Sequence, residues 1–420
     1  MSDNITAAST RPPEPERMRR LKLPGRAGLN GQSVREADIA LLADAPAHYL
    51  DTTHFDTVRF PPPPWAKDTF DRAASDGDMA YSLYRGHPAV LDIVAGNVSE
   101  FLGHPVAPRG NLMLTAGTQA GLFCALSAMI EVGSRVALLD PDYLFSERML
   151  GFLGAEVGHV PLLLTGDDPQ PDFAVLEEEF AVKGARFMVF SHPNNPTGAV
   201  YSKAVIARIA DLAQRYDVTV LVDELYFRLL HDGRSFHHLA AEPGMFDRTV
   251  TLLGPSKTES LSGYRLGVVV APADLIDRME NVQAITTLRA PAYAQSLLVS
   301  WLRDDRQWLA ERLEDFSALR QTTNAAFARL PRARVIPQAG TAYIWVDVTA
   351  LNLPGTTIAR AILTQAGVLV SPGYQFGPGS AGHLRICYAR DEAELDTALE
   401  RILTVLNDLA VGQGLPAMTR

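Results

Sequence analysis

The chain has 420 residues, of which 47% are hydrophobic and 20% charged, and its net charge at pH 7 is −10. This length favours two domains, and the composition is that of a globular protein. The acidic balance argues against nucleic acid as the main partner, and no apolar run is long enough to span a membrane. Cys124 and Cys387 are too few for a disulfide framework or a metal site, so we expect no metal and a reducing, cytoplasmic setting.

The composition of the first 60 residues does not indicate a separate folded domain. Residues 1–26 are polar, contain prolines and arginines and have no apolar signal core, so we expect a disordered arm there. Residues 27–60 are expected to pack with a smaller C-terminal domain. The run Pro61-Pro62-Pro63-Pro64 is typical of a stiff connector.

Residues 61–309 are predicted to form a large domain in which strands alternate with helices. The strand-like segments are mostly continuous apolar runs, as expected of strands that helices cover on both faces. This alternation predicts an α/β domain with a mainly parallel, seven-stranded sheet flanked by helices such as Gln119–Ile130 and Lys203–Tyr216. The predicted strands are Leu112–Thr115, Arg135–Leu139, Glu156–Leu162, Phe187–Ser191, Val218–Asp223, Val250–Leu253 and Leu266–Val270.

The pattern changes after about residue 271. A long helical stretch, Ala273 to Leu330, is interrupted near Arg289-Ala290-Pro291. Short strands and a final helix follow, which predicts a smaller α+β domain over residues 310–420. The predicted elements there are the strands Arg334–Ile336, Ala342–Val348, Val368–Ser371 and His383–Tyr388 and the helix Glu392–Leu409.

Polar motifs follow several of the predicted strands of the large domain. Gly117-Thr118-Gln119 lies between a strand and a helix, where backbone N–H groups can bind phosphate, although Thr118 could simply cap the helix. The run Asn194 to Gly198, Asn-Asn-Pro-Thr-Gly, follows the strand that ends at Ser191; its residues are also ordinary turn formers. Because ligands bind at the carboxyl ends of strands in open α/β sheets, both motifs are candidates for a binding site.

Asp223 ends another predicted buried strand, and Tyr226 lies three residues after it. A carboxylate beside a pyridine nitrogen favours the protonated ring, and the phenol three residues later can hydrogen-bond a phenolic oxygen from the same side. The alternative for Asp223 is a helix cap.

Lys257 comes shortly after the next predicted strand, Val250–Leu253, in the run Gly254-Pro255-Ser256-Lys257. It is one of five lysines in a chain with 33 arginines. Arginine cannot be deprotonated in a protein, whereas lysine can lose its proton and form a Schiff base, so a lysine at this position suggests amine chemistry. The alternative is a solvated surface lysine. Arg265 follows within Ser262 to Gly267, Ser-Gly-Tyr-Arg-Leu-Gly.

Arg385 lies inside an apolar strand of the smaller domain. A buried arginine needs an anionic partner, which a substrate carboxylate could supply through a bidentate contact. A structural salt bridge with an internal Asp or Glu is the alternative.

The order and spacing of these motifs carry more information than any one of them. Asn-Pro-Thr-Gly, Asp-x-x-Tyr and Ser-Lys followed by Gly-Tyr-Arg-x-Gly resemble the class I/II aminotransferases, the pyridoxal-phosphate-dependent enzymes of fold type I. The resemblance covers roughly Asp78 to Leu409. It implies pyridoxal 5′-phosphate as cofactor, an amino acid and a 2-oxo acid as substrates, and a homodimer with shared active sites.

The resemblance assigns a role to each residue that handles the cofactor ring. Lys257 would form the Schiff base and move the proton between the substrate Cα and the cofactor. Asp223 would pair with the pyridinium nitrogen, Asn195 and Tyr226 would hydrogen-bond the phenolic oxygen, and Tyr143 would stack on the ring. Lys257, Asp223 and Tyr226 are therefore the expected catalytic residues.

The phosphate and the substrate receive their own sets of residues from the resemblance. The phosphate would be bound by Gly117, Thr118, Gln119, Ser256 and Arg265. Tyr81 would reach the phosphate of the neighbouring subunit. Arg385 would bind the substrate α-carboxylate, and Asn195 would also contact the substrate.

The substrate itself is less well indicated. Arg289 could bind a distal carboxylate, which would favour aspartate or glutamate, or it could form an ion pair at a dimer interface. The chain departs from the family pattern at Pro255, where a phosphate-binding serine is common, and in the N-terminal segment, where residues 52–57 replace the usual Gly-x-Pro-x-Phe. After Gly86, Val90-Leu91-Asp92 stands where a Leu-Arg pair is usual.

Transamination is the main hypothesis for the reaction. A pyridoxal-phosphate-dependent lyase, cyclase, decarboxylase or oxidase is the alternative, because the same motifs serve any of these reactions. A regulator that only senses the cofactor is a third possibility, although the segment before Pro61 shows no DNA-binding pattern.

Overall fold

The computed structural model describes residues 14–21, 39–55, 59–77, 79–165, 168–330 and 332–417. The strands, in chain order, are β1 (Leu50–Asp51), β2 (Leu112–Ala116), β3 (Arg135–Asp140), β4 (Glu156–Leu163), β5 (Gln170–Pro171), β6 (Phe187–Ser191), β7 (Thr219–Asp223), β8 (Thr249–Leu253), β9 (Leu266–Val270), β10 (Arg334–Ile336), β11 (Tyr343–Asp347), β12 (Val368–Leu369), β13 (Ser371–Pro372) and β14 (His383–Cys387).

The helices lie between and beside these strands in the described residues. The α-helices are α1 (Glu16–Arg19), α2 (Ile39–Leu42), α3 (Trp65–Asp76), α4 (Pro88–Leu102), α5 (Thr118–Met129), α6 (Leu144–Leu153), α7 (Phe173–Ala181), α8 (Lys203–Arg215), α9 (Ala273–Thr286), α10 (Arg306–Ala328), α11 (Gly355–Ala361) and α12 (Glu392–Gly412). Short 3-10 helices include Ser262–Tyr264 and Tyr293–Val299, and a π-helix, Ile362–Ala366, continues α11.

The large sheet has the order β2-β9-β8-β7-β6-β3-β4-β5 among the described residues. All seven strands predicted from the sequence form in it, so the α/β fold with a mainly parallel central sheet is confirmed. The eighth strand, β5, is a two-residue antiparallel edge that the sequence analysis did not predict. Two residues are too short to produce an apolar alternation that a sequence pattern can reveal.

The parallel strands bring the candidate motifs together. β6, β7 and β8 are consecutive parallel neighbours, with Ser191 opposite Asp223 and Asp223 opposite Leu252. Their carboxyl ends therefore meet at one edge of the sheet, where the Asn195, Asp223 and Lys257 segments begin.

Helices cover both faces of this sheet. Within β3, Ala137 and Leu139 pack with α7 and α8, whereas Val136 and Leu138 pack with α5 and α9 on the opposite face. Because β3 is buried on both sides, its sequence is nearly a continuous apolar run, whereas β4, nearer the sheet edge, has Glu156, Pro161 and Leu163 exposed.

A smaller antiparallel sheet, β10-β11-β14-β13, packs with α10, α11 and α12 around a second core. β1 pairs in parallel with β12, which joins the N-terminal segment to this part of the molecule. Helix α10 begins at Arg306, so the predicted domain boundary at residue 310 falls inside its first turns.

Part of the arm expected to be disordered is described. Residues 14–21 contain α1, and the backbone of Arg20 lies so close to α6 that a Cβ on Gly151 would be 3.0 Å from the Arg20 carbonyl oxygen. The rest of residues 1–26, and residues 27–38, lie outside the described residues. Within the described part of the chain, no helix has both the length and the apolar character needed to cross a bilayer.

Candidate active site

A cavity of roughly 440 Å³ opens at the carboxyl ends of the parallel strands. It brings together most of the residues that the sequence analysis assigned to a site. The predicted site residues that line it are Thr118, Gln119, Tyr143, Asn195, Asp223, Tyr226, Ser256, Lys257 and Arg265. Gly117 and Arg385 adjoin this set through contacts with Arg265 and Asn195.

One end of the cavity is built to receive an anion. Helix α5 begins at Thr118 and directs its first backbone N–H groups toward this end. Among the described residues, no atom hydrogen-bonds the buried Thr118 Oγ1. Since a buried hydroxyl is rarely left without a partner, this donor is suited to a ligand oxygen.

Gly117 and Arg265 fit each other at the same end. A Cβ on Gly117 would lie 2.3 Å from Arg265 Nη2, so only glycine lets the guanidinium pass. Arg265 has φ of 55°, a left-handed conformation that costs a non-glycine residue about 1–2 kcal/mol. Its Nη1 donates to Ser262 O at 3.0 Å. The backbone is thus strained at a position where the side chain meets the cavity, a feature typical of functional sites.

Asp223 forms another wall, at the end of β7. Burial raises the pKa of its carboxyl to about 6, while the backbone N–H of Leu225, 3.1 Å from Oδ1, acts in the opposite direction. The positive charge of Lys257 also favours the ionised form. A cationic ligand group beside Asp223 would lower this pKa further.

Asp142 is a buried carboxyl to which the sequence analysis assigned no role. It accepts hydrogen bonds from Ser191 N (2.9 Å), Asn194 Nδ2 (3.1 Å) and Tyr143 N (2.6 Å). Burial raises its pKa to about 7. Asp142 therefore connects the loop that carries Tyr143 to the end of β6 and to the Asn194–Gly198 turn.

The Tyr143 ring is held from its other end. The Tyr143 hydroxyl donates to Gln119 Oε1 at 3.1 Å, and the ring centre lies 5.5 Å from that of Phe145. Both aromatic rings line the cavity. They give it a flat apolar side suited to a ring system.

Lys257, half-buried, lies near a group of aromatic side chains. Its Nζ is 5.5 Å from the centre of the Phe55 ring. Phe55 packs edge-on against Tyr343, and the Tyr226 hydroxyl donates to the Tyr343 hydroxyl at 3.0 Å. The N-terminal segment thus places Phe55 beside Lys257 and Tyr343.

Arg385 lies fully buried on β14. Its Nη1 donates to Asn195 Oδ1 (2.8 Å), and its Nη2 donates to the Thr53 carbonyl oxygen (2.8 Å) and Ser371 Oγ (3.2 Å). The guanidinium lies over the rings of Tyr343 and Phe376, at 4.3 and 4.7 Å from their centres. Because Asn195 lines the cavity, Arg385 links the smaller sheet to the site.

Tyr81 and Arg289 do not line the cavity. The Arg289 guanidinium stacks on the Tyr81 ring, 3.9 Å from its centre, and Arg289 Nη1 donates to Ser82 O. Tyr81 is 84% exposed, and the apolar side chains of Leu83 and Ile285 are exposed on the same segments. The two predicted residues are therefore neighbours on a surface rather than parts of the enclosed site.

Several residues of the site were not predicted as such. Leu122, Phe145, Ser191, Leu225 and Ser262 line the cavity, and Tyr343 contacts both Tyr226 and Arg385. Tyr343 is diagonal to Arg385 because β11 and β14 pair with Trp345 opposite Arg385. A single sequence contains no signal for that register, although the apolar run of β11 did indicate the strand.

Residues 51–402 match the model of the family described as aminotransferase class I and II. The chain belongs to the class I and II aminotransferase family. It is also 28% identical over 352 residues to aromatic-amino-acid aminotransferase 2 of Thermococcus litoralis, covering 83% of this chain and 90% of the relative. Arginine–pyruvate transaminase of Pseudomonas aeruginosa is 30% identical over 329 residues, which cover 78% and 82% of the two chains.

A solved structure gives the same result for the fold. The crystal structure of an aspartate aminotransferase from Rhodobacter sphaeroides is 35% identical and superposes with a TM-score of 0.84, covering 93% of this chain and 98% of that one. The protein is thus a pyridoxal-phosphate-dependent aminotransferase of fold type I, with amino acids and 2-oxo acids as its substrates.

The cavity fits this cofactor. The N-terminus of α5, the buried Thr118 hydroxyl and the Arg265 guanidinium suit a phosphate group. The Asp223 carboxyl suits a protonated ring nitrogen, and the Lys257 amine suits an aldehyde carbon. The three chemical parts of pyridoxal phosphate therefore find matching groups in one cavity.

Proposed function

We propose that the cavity binds pyridoxal phosphate through the residues named from the sequence, and that it catalyses transfer of an α-amino group from an amino acid to a 2-oxo acid. The observation that carries the proposal is the joint presence of Lys257, Asp223 and Arg265 in one cavity. Lys257 is the amine that binds the cofactor covalently. Gly117, Thr118, Gln119, Ser256 and Arg265 hold its phosphate, and Tyr143 stacks on its ring.

When bound, the cofactor supplies an electron sink that stabilises negative charge developing at the substrate Cα. The ionised Asp223 keeps the ring nitrogen protonated, because a buried carboxylate favours a cation beside it. Asn195 would donate a hydrogen bond to the phenolic oxygen. Tyr226 would do the same, and its hydroxyl would then accept the hydrogen bond that it shares with Tyr343. Asn195 Oδ1 accepts from Arg385, so the Nδ2 group is the donor that Asn195 can offer to the cavity.

Lys257 and Arg385 act on the substrate. Arg385 binds its α-carboxylate, and this fixes the Cα of the substrate in the cavity. Lys257 Nζ, released from the cofactor when the substrate amine takes its place, would accept the Cα proton as a general base and would then donate that proton as a general acid to the carbon from which the lysine was released. Tyr343 connects Arg385 to Tyr226, because it hydrogen-bonds the Tyr226 hydroxyl and its ring contacts the Arg385 guanidinium.

The assembly that we propose is a homodimer with shared active sites, located in the cytoplasm. The exposed side chains of Tyr81 and Leu83, and of Ile285 on α9, support an interface on this surface, since large exposed apolar side chains favour association. Tyr81 would reach the phosphate in the neighbouring subunit. Arg289, stacked on Tyr81, would reach the same subunit and bind a distal carboxylate of the substrate.

The domain division is a proposal as well. We assign residues 61–309 to the large domain and residues 310–420, joined by 27–60, to the smaller one. The pairing of β1 with β12 and the position of Phe55 support the inclusion of the N-terminal segment.

A half-reaction tests the function. The cofactor-loaded protein is mixed with single amino acids in the absence of a 2-oxo acid, and the visible absorbance and products are followed. Transamination predicts one equivalent of 2-oxo acid per site and loss of the visible band. Turnover beyond one equivalent, with release of ammonia, carbon dioxide or a leaving group, would instead identify a lyase, decarboxylase or oxidase.

A further inference from the structure

Arg228, Glu259 and Asp305 form a buried charged cluster outside the cavity lining. Arg228 Nη1 donates to Glu259 Oε1 and, at 2.8 Å, to Asp305 Oδ2, while Nη2 donates to Asp305 Oδ1 at 2.8 Å. Glu259 and Asp305 are fully buried, and Arg228 is 8% exposed. Because a buried charge without a partner is strongly destabilising, the three side chains are stable only as a unit.

The cluster joins three segments that are distant in sequence. Arg228 lies two residues after Tyr226, Glu259 lies two residues after Lys257, and Asp305 immediately precedes α10. The second Glu259 oxygen accepts from Thr258 Oγ1, next to the lysine. A single guanidinium thus ties the turn that carries Lys257 to the segment that carries Tyr226.

The turn after Lys257 also has a conformation that needs support. Ser260, which follows Glu259, has φ of 54°, a left-handed conformation that non-glycine residues rarely adopt. The Leu261 N–H donates to the Pro255 carbonyl oxygen at 3.1 Å and closes the turn around the lysine. Such a conformation persists only when its surroundings fix it, and the ion pair of Glu259 lies immediately beside it.

We propose that Glu259, held by Arg228 and Asp305, is a positioning residue that fixes Lys257 against the Tyr226 segment. The inference rests on the proposed role of Lys257. If the aim were stability alone, apolar side chains of similar volume at these three positions would stabilise the fold as well as the buried charges do, or better. The charged cluster additionally fixes the relative orientation of its side chains. A planar guanidinium donates hydrogen bonds to carboxylates in only a small number of directions.

The chain contains a matched control cluster at the other end of the sheet. Glu179 is 2% exposed and accepts from Arg135 Nε (2.9 Å) and Lys183 Nζ (3.1 Å). Arg135 is the first residue of β3, whereas the cavity lies at the carboxyl ends of the strands. Glu179→Gln therefore removes a buried, ion-paired carboxylate without a contact to the lysine turn.

The test compares Glu259→Gln with Glu179→Gln in the cofactor-loaded enzyme. Glutamine keeps the shape of the side chain but weakens its bond to Arg228, so Lys257 becomes less well placed. We expect kcat to fall roughly fivefold or more, with KM for the amino donor within about twofold. The pH midpoint of the visible absorbance of the lysine-bound cofactor should move by about half a unit or more.

Glu179→Gln is expected to leave both properties unchanged, even where it lowers Tm. If Glu259→Gln matches Glu179→Gln in kcat and in the absorbance midpoint, the cluster serves folding alone and the proposal is wrong. Should Glu259→Gln not accumulate as folded protein, Asp305→Asn is measured in its place with the same two criteria. A Lys257→Ala protein that keeps the wild-type absorbance would refute the role of Lys257 itself, and both proposals with it.

Discussion

One chain supplies the cofactor-binding groups of the cavity, whereas the Tyr81–Arg289 surface is proposed to act only together with a second subunit. In the cavity, Lys257, Asp223 and Arg265 come from the carboxyl edge of one sheet and face one another. On the surface, Tyr81 is 84% exposed and Arg289 stacks on it, away from the cavity. The groups proposed to bind cofactor are thus fixed by the fold, whereas those proposed for substrate choice depend on a second surface. Substitutions in the two regions should therefore have different consequences.

Removing the lysine is the largest change within the cavity. Lys257→Ala should lower kcat by about a thousandfold or more, since a positioned general base contributes ~10²–10⁴-fold and the covalent attachment is lost as well. The loss should be the same for every amino acid. Single-turnover kinetics with several donors measure it. Lys203→Ala, an exposed lysine at the start of α8, is the control and should be silent. Retention of activity by Lys257→Ala would remove the basis for assigning the cavity.

Asp223→Asn should have the next largest effect. Loss of a buried carboxylate beside a cationic ring should weaken cofactor affinity by roughly 30-fold or more, because breaking such a pair costs about 2 kcal/mol or more. Titration of the cofactor-free protein with pyridoxal phosphate measures the effect. Asp217→Asn, which changes an exposed carboxylate just before the same strand β7, is the control.

The same pair of proteins gives a pH dependence of defined sign. Burial raises the pKa of Asp223 to about 6, so in the cofactor-free protein the carboxyl is ionised above that pH and protonated below it. A protonated carboxyl does not attract a cation. The affinity of the wild type relative to Asp223→Asn should therefore be constant above pH 6 and fall by about tenfold per unit below it. A ratio that does not change with pH would argue against a charge pair.

The elements of the fold were predictable where local pattern and burial agree. Strands β2, β3 and β6 to β9 are buried on both faces, and their apolar runs identified all of them. β4 was predicted as well, although three of its residues are exposed. The edge strand β5 is too short for a pattern. The start of α10 was not predictable because Asp305 precedes it in a buried ion cluster, and such a contact depends on Arg228, 77 residues away.

The same distinction holds for the site. Thr118, Asp223 and Lys257 were found because each lies at the carboxyl end of a strand or a few residues after it, so that sequence position determines the edge they occupy. Asp142 and Tyr343 were not found because their roles come from contacts with residues 49 to 117 positions away. Glu259 carries no local signal either, because a glutamate in a loop is usually solvated.

Arg289→Ala should have the smallest effect and the most selective one. If Arg289 binds a distal carboxylate, kcat/KM for aspartate and glutamate should fall about tenfold, the value of one charge-assisted hydrogen bond, while apolar donors change less than about twofold. The control is Arg278→Ala, which removes an arginine that is exposed on α9 and pairs with Asp274. Equal losses for all donors would instead assign Arg289 to the packing of the Tyr81 segment, because its stacking on Tyr81 and its bond to Ser82 O would then be its main contribution. Activity that depends on enzyme concentration in Arg289→Ala, but not in the wild type, would place that packing in a subunit interface.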